Sequence, residues 1–333
     1  MFESCRARQN MNNRSIYLIF IKTYSLIKIK YMFIKNKKYI FDGGSGQTLL
    51  EMGLKPEGRL WSATALINKN LHKMIINMHL DFINAGANLI VTSNFSVRKR
   101  RLLEYNKLNY FEQATNDSAL LANKAKDLSG KNVLIAGSLP TQGIVYFSEK
   151  VTDDKETFKG FNETAKILHP NVDLFYLDVL SSINEIQIAC EAIKEFEKPI
   201  LIGVHLNKKG NLPSGETIDD LISISKNYNC CGIIAACVSP EIVNLAMPKL
   251  INQKLPFGFK VNAFKNISEN NPLDADSNYN GYPTERYGSR ADEFNPQLFK
   301  KFVEGKLKDG ATLLGGCCEI KPSHIKAISE IST

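Results

Sequence analysis

The sequence predicts a single-domain α/β protein, a (β/α)8 TIM barrel, and two observations carry this prediction. Eight short apolar runs recur along the 333-residue chain, and longer amphipathic stretches lie between them. The runs lack a strict alternation of apolar and polar residues, which is typical of parallel strands buried on both faces. Eight strand–helix units in about 290 residues fit the size of such a barrel. A doubly wound open sheet is the alternative.

The predicted strands follow one another in chain order at residues 39–44, 89–95, 133–139, 174–180, 199–206, 231–239, 256–264 and 311–318. The stretches 66–86 and 183–197 have a clear helical pattern between strands. The longest irregular segment, 266–296, follows the seventh strand and is rich in Asn, Asp, Gly, Pro and Tyr. Loops of this length in a compact domain are usually functional, so we expect it over the C-terminal mouth of the barrel.

The net charge of the chain is confined to its first 38 residues. They hold nine basic residues and one acidic residue, and this excess equals the +8 of the whole chain. A neutral body does not form the basic surface that binds nucleic acid. The basic cluster "RKRR" at 98–101 is therefore interpreted as a solvated helix start, and no nucleic-acid partner is expected.

Residues 1–38 are predicted to be an extension that is poorly ordered or precedes the native start, and residues 39–333 the barrel domain. The extension is apolar but is interrupted by Lys22, Lys28 and Lys30. No run in it reaches the ~20 residues that span a bilayer, and no clear signal-peptide cleavage site is present. A weak amphipathic membrane anchor is the alternative. We expect no membrane partner.

The cysteines fall at opposite ends of the predicted strands. Cys237 lies near the end of the sixth strand, and Cys317 and Cys318 end the eighth in the sequence "GGCC". The C-terminal ends of all strands meet at the face where barrel enzymes have their active sites. Cys230 and Cys231 precede the sixth strand and belong to the opposite face. An odd total of seven cysteines with two adjacent pairs argues against a disulfide framework, so a cytoplasmic location is expected.

Three cysteines at one rim predict a zinc ion, which thiolates bind readily. His205, at the end of the fifth strand, is the alternative ligand. Gly315 and Gly316 are expected to let the backbone pass close to the metal and substrate. The other interpretation is that the cysteines are buried and inert. A zinc ion held by three thiolates is suited to holding an incoming thiol as a nucleophilic thiolate, which favours alkyl transfer to sulfur.

Several motifs fit this chemistry. "GGCC" is followed by "P-x-H-I" within 315–325, "DGG" stands at 42–44, and Cys237 is followed closely by Pro240. In these motifs the chain resembles the homocysteine S-methyltransferase family from about Tyr39 to Ile331. "GSLP" at 137–140 and the segment 181–193 resemble one bacterial branch of that family.

The resemblance implies a zinc ion held by Cys237, Cys317 and Cys318, with the sulfur of homocysteine as the incoming ligand. It also implies that substrate contacts come from the "DGG" turn and two further residues, namely Asp42, Gly43, Gly44, Asp178 and Ser93. A carboxylate would pair with the α-ammonium, and backbone N–H groups would receive the α-carboxylate. The chain departs from the family in having Asp178 where a glutamate is usual and Ala236 where an asparagine is usual.

The methyl donor must carry an activated methyl group, so a small sulfonium or quaternary ammonium compound is expected. Such cations favour aromatic faces, and candidates lie in the predicted loops at Phe95, Tyr146, Phe147, Tyr279 and Tyr282. The predicted function is zinc-dependent methylation of L-homocysteine to methionine. The alternatives are a drifted member that binds zinc or a thiol without turnover, and a methyltransferase for a different thiol. A homo-oligomer is left open.

Overall fold

A computed structural model describes residues 33, 37–148, 153–265, 285 and 287–332 of the chain. Most of the extension at 1–38 and most of the loop predicted at 266–296 lie outside these residues. The candidate donor contacts Tyr279 and Tyr282 lie outside them as well.

The eight predicted strands are all present and run parallel. They are β1 (Tyr39–Ile40), β2 (Leu89–Val91), β3 (Leu134–Pro140), β4 (Leu174–Leu180), β5 (Ile200–Val204), β6 (Cys230–Val238), β7 (Phe257–Val261) and β8 (Leu313–Gly316). Their spatial order is β1-β8-β7-β6-β5-β4-β3-β2. A parallel bridge between Phe41 and Leu89 connects the two outer strands and nearly closes the ring. The barrel prediction is confirmed, and the open-sheet alternative is wrong because β1 pairs with β8.

Helices follow every strand. They are α1 (Ser45–Glu51), α2 (Ser62–Ile67), α3 (His72–Asn84), α4 (Lys99–Glu104), α5 (Phe111–Ser129), α6 (Asp154–Leu168), α7 (Ile183–Ile193), α8 (Ile218–Ser225), α9 (Pro240–Leu250), α10 (Pro296–Lys308) and α11 (Pro322–Ser329). Polar side chains cap the starts of α6, α7, α8, α9 and α10. The side chain of Ser239, for example, accepts a hydrogen bond from the Ile242 amide at the start of α9, and Pro240 occupies the first turn.

The basic cluster at 98–101 is only partly as predicted. A helix does begin there, at Lys99, but Arg98 and Arg101 are buried rather than solvated. The guanidinium of Arg98 donates hydrogen bonds to the carbonyl oxygens of Thr141 and Gly143. Arg98 therefore ties the β2–α4 region to the loop that follows β3.

The inside of the barrel is packed with large side chains below the C-terminal rim. Phe41, Tyr176, Leu201, Ile234 and Leu313 are buried there together. At the end of the extension, Phe33 packs edge-on against Tyr39, with ring centroids 4.7 Å apart. Among the helices that the structure describes, none is both long and apolar enough to cross a bilayer.

Candidate metal centre and substrate cavity

Three cysteines from two strands meet at the C-terminal rim. Cys237 lies in β6, and Cys317 and Cys318 directly follow β8. Sγ of Cys318 lies 3.9 Å from Sγ of Cys237 and 3.9 Å from Sγ of Cys317. Within the described residues this is the only cluster of three or more potential metal ligands. His205 is not part of it, and its ring instead stacks on Tyr146 with centroids 4.3 Å apart.

The backbone at Cys237 is turned out of the regular strand. Its φ of 52° is unusual for a residue with a side chain, and the pairing of β6 with β7 shifts between Ala236 and Val238. Bulges of this kind re-aim a side chain. Nδ2 of Asn262 donates a 2.7 Å hydrogen bond to the carbonyl of Cys237 and holds the distorted segment in place.

The sequence led us to expect that the two glycines before the cysteines make room for metal and substrate. In the structure they make room for neighbouring protein atoms. A Cβ added at Gly315 would lie 2.4 Å from Cβ of Phe41. A Cβ added at Gly316 would lie 2.2 Å from Cβ of Ile320. The glycines therefore let β8 approach β1 and let the chain fold back after Cys318, which sets the position of both cysteines.

Hydrogen bonds place the first negative charge of the cluster on one sulfur. Burial opposes ionisation of Cys237, but hydrogen bonds from Cys317, Cys318 and Tyr146 hold its pKa well below the usual range of a thiol. The Tyr146 hydroxyl lies 2.9 Å from that sulfur. The hydrogen bonds to Cys237, and burial, raise the pKa of Cys317 and of Cys318. Of the three thiols, Cys237 is therefore the first to lose its proton.

A cavity of about 190 Å³ opens beside the cysteines. It is lined by all three of them and by the five residues predicted as substrate contacts, Asp42, Gly43, Gly44, Ser93 and Asp178. Of the candidate donor contacts, Phe95 and Tyr146 line it, whereas Phe147 does not. Trp61, which the sequence argument did not single out, also lines it. Cys230 and Cys231 are the first residues of β6, at the far end of the barrel.

Asp178 is presented to the cavity by a second distorted strand end. Val179, the next residue, has a φ of 62°, and the pairing of β4 with β5 shifts between Leu177 and Leu180. Oδ2 of Asp178 accepts a 2.7 Å hydrogen bond from the Ser138 hydroxyl. Burial raises the pKa of Asp178 to about 7, which outweighs this bond and the nearby positive charge. The carboxyl group can gain or lose a proton near neutral pH.

Lys260 is a cavity residue that sequence reasoning missed. It lies in β7, is 6% exposed, and its Nζ is 2.6 Å from Oδ1 of Asp42. The other oxygen of Asp42 accepts a 2.8 Å hydrogen bond from the Val91 amide. A lysine inside a strand whose remaining residues are apolar was the available signal, because an unpaired lysine is almost never fully buried.

The comparisons with known proteins agree with the predicted fold and family. The family model described as homocysteine S-methyltransferase matches residues 39–332. "Homocysteine S-methyltransferase 2" of Saccharomyces cerevisiae is 22% identical over 328 residues, 88% of this chain and 93% of its own. "S-methylmethionine--homocysteine S-methyltransferase BHMT2" of Pongo abelii is 23% identical over 295 residues, 87% of this chain and 77% of its own.

A solved structure shows the same fold. The metallated form of the homocysteine methyltransferase MmuM from Escherichia coli superposes with a TM-score of 0.70 at 19% identity, covering 88% of this chain and 96% of that one. The family resemblance predicted from the motifs is confirmed, since the family match spans nearly the whole barrel. The chain belongs to the homocysteine S-methyltransferase family and is a methyltransferase.

Proposed function

We propose that this protein transfers a methyl group from a small sulfonium or quaternary ammonium donor to the thiol of L-homocysteine, with a zinc ion held by Cys237, Cys317 and Cys318. The observation that carries the proposal is the convergence of these three sulfurs, all within 4.8 Å of one another, beside a cavity. Family membership supports the acceptor, because the matching profile is that of homocysteine methyltransferases.

The cysteines fit a zinc ion. Zinc–sulfur bonds of about 2.3 Å in a tetrahedron separate neighbouring sulfurs by roughly 3.8 Å, and two of the sulfur pairs are 3.9 Å apart. Thiolates select soft metals, and three protein ligands leave one position open for a substrate. The Escherichia coli relative has been solved in a metallated form. When bound, zinc supplies a Lewis acid that favours the thiolate form of the substrate sulfur at neutral pH.

The cavity offers groups for the amino-acid part of homocysteine. Asp178, when ionised, is a partner for the α-ammonium group. The hydroxyl of Ser93 is buried and, within the described residues, has no hydrogen-bond partner, so a substrate atom would satisfy it. Gly43 and Gly44, predicted to contact the substrate through their backbone, line this end of the cavity, where the turn packs against the backbone of Ile320 and Cys317.

The donor would approach the sulfur from the aromatic side of the cavity. Trp61, Phe95 and Tyr146 line it, and aromatic faces attract sulfonium and ammonium cations. The name of the Pongo abelii relative includes S-methylmethionine, a sulfonium compound. In the transfer, a bond forms between the acceptor sulfur and the methyl carbon. The bond from that carbon to the donor heteroatom breaks, its electron pair stays on the donor, and the thiol proton goes to water.

The state of the cysteines bears on where the protein works. All six cysteines that the structure describes are free. Free thiols persist in reducing surroundings, which supports a cytoplasmic location.

The test is the zinc content of the purified protein, followed by methionine formation from homocysteine with each donor offered separately. One zinc per chain and turnover with one donor are expected. No zinc under reducing, metal-replete conditions would contradict the metal site. One zinc without turnover would favour the alternative of a member that binds without catalysis, and Asp178→Glu with Ala236→Asn would then be the next variant.

Replacing Trp61 with phenylalanine or alanine tests the donor side. We expect Trp61→Ala to raise KM for the donor about 10-fold or more, because a desolvated cation–aromatic contact is worth on the order of 2 kcal/mol. The smaller Trp61→Phe change should have a smaller effect, and KM for homocysteine should stay unchanged in both. Because Trp61 is the only tryptophan in the chain, its fluorescence in the wild type should also change when donor is added. Equal rises in both KM values would contradict a donor-specific role.

A further inference from the structure

Lys260 is placed between the two strands that carry the cysteines. In the strand register it pairs with Ala236 on β6 and with Gly315 on β8. It is therefore level with the residue just before Cys237 and with a residue two positions before Cys317. Both partners are small residues, so they leave space for the lysine side chain, which lines the cavity. Its Nζ lies 2.6 Å from Oδ1 of Asp42.

The charge of Asp42 is already satisfied within the protein. Its two carboxylate oxygens are bound by the ammonium group of Lys260 and the amide of Val91. An ammonium group has three donors, and the bond to Asp42 uses one of them. Asp42 and Lys260 thus form a buried pair in which the ammonium group keeps two further donors, and these suit an anionic group of a ligand.

Most backbone amides of the "DGG" turn are already used inside the protein. The Gly44 amide donates to the carbonyl oxygen of Ile320 at 2.9 Å, and the Ser45 amide lies 3.0 Å from the carbonyl oxygen of Gly43. The Asp42 amide donates to the carbonyl of Leu89 at 3.2 Å. The amides of Asp42, Gly44 and Ser45 are therefore used inside the protein, so the α-carboxylate has room for a further partner beside the Gly43 amide.

The two arginines that line the cavity are held by other groups. Arg59 forms an ion pair with Glu104 at 2.8 Å. Arg98 donates to the carbonyl oxygens of Thr141 and Gly143. Lys260 is the cation that stands beside both Asp42 and the cysteine-bearing strands.

We propose that Lys260 is a specificity-determining residue that receives the carboxylate of the thiol substrate. The inference rests on the proposed function and deepens it. Sulfur at the cysteines, ammonium at Asp178 and carboxylate at Lys260 give three separate points of recognition, which together select an α-amino acid with a thiol on its side chain. A thiol without a carboxylate leaves the buried ammonium group without its ligand, and this costs binding.

The experiment measures binding rather than turnover. The zinc-loaded, full-length protein is titrated calorimetrically, without donor, with homocysteine and with 3-aminopropane-1-thiol, which is homocysteine lacking the carboxylate. The wild type should bind homocysteine about 10–100-fold more tightly, as expected for a charged hydrogen bond. In Lys260→Met this ratio should fall to near one. In the same variant, homocysteine should still bind more tightly than 4-mercaptobutanoate, which lacks the ammonium group, because that preference depends on Asp178.

Two further variants keep the result interpretable. Lys260→Met leaves Asp42 buried without its partner, which destabilises a protein, so Asp42→Asn with Lys260→Met is measured beside it and should show the same loss of discrimination. Lys265→Met removes an exposed lysine near the end of the same strand and should keep the wild-type ratio. An unchanged ratio in both Lys260 variants would overturn the proposal. If the wild type prefers homocysteine to 3-aminopropane-1-thiol as expected but forms no methionine, only the proposed function is overturned.

Discussion

Replacing Cys237, Cys317 and Cys318 together with serine is expected to abolish zinc binding and to bring methionine formation below detection. A serine hydroxyl stays protonated at neutral pH and is a poor zinc ligand, whereas thiolates bind the ion directly. Changes that only touch the partners of a ligand already cost 10–100-fold in affinity. A single Cys318→Ser change should therefore lower zinc affinity by at least about 100-fold. Metal analysis after dialysis against a weak chelator measures both.

The chain contains a matched control for this experiment. Cys230 and Cys231 are also adjacent, lie in the same strand as Cys237, and are at the opposite end of the barrel. Their sulfurs are near the carbonyl oxygens of Gly232 and Ile200, at 3.3 Å each. Cys230→Ser should retain one zinc per chain and wild-type turnover. A rim triple variant that still held one zinc would show that the ion is bound elsewhere.

The convergence of the cysteines could be predicted because a barrel fixes which residues share a face. Once eight apolar runs were assigned as parallel strands, the end of each run placed its residues at one rim or the other. This separated Cys237 from Cys230 and Cys231 without any knowledge of distances. Strand ends were off by up to several residues, since Asp42 and Asn262 continue the path of β1 and β7 without regular pairing.

The side-chain partners inside the cavity could not be predicted in the same way. Lys260 and Asp42 are 218 positions apart in sequence, and their pairing depends on the register between β7, β8 and β1. The distortions at Val179 and Cys237 leave no local sequence signal, because a valine and a cysteine rarely adopt positive φ and nothing in their neighbours indicates it. Gly315 and Gly316 were expected to make room for metal and substrate, but the atoms that a Cβ would meet at these positions belong to Phe41 and Ile320.

Replacing Asp178 with asparagine is expected to stabilise the protein at high pH and to weaken homocysteine binding. Asparagine keeps an oxygen for the Ser138 hydroxyl but cannot carry a charge. Without the carboxylate, the α-ammonium group of homocysteine loses its ionic partner, and KM should rise on the order of 100-fold. KM for 4-mercaptobutanoate, which has no ammonium group, should change little. Asp178→Asn raising both KM values equally would contradict the assignment of the ammonium group to this carboxylate.

The stability effect has a defined pH window. Burial raises the pKa of Asp178 to about 7 in the folded protein, from 3.8 as the ordinary value of an aspartate. The folded state therefore holds a proton that the unfolded chain has lost, and wild-type stability falls as pH rises from about 4 to about 7. Asparagine does not ionise, so the advantage of the variant should grow by about 2 kcal/mol between pH 5 and pH 8.

Urea unfolding of both proteins at pH 5 and pH 8, with the same zinc concentration, measures this difference. Asp127→Asn, which changes an exposed carboxylate on α5, is the control and should show no such dependence on pH. A constant difference between wild type and Asp178→Asn at both pH values would mean that Asp178 ionises in the folded protein as it does in water. If the difference grows as expected, the protein keeps at its rim a carboxylate whose charge opposes folding. A residue of that kind is retained for what it binds, because an uncharged residue of the same shape would make the barrel more stable.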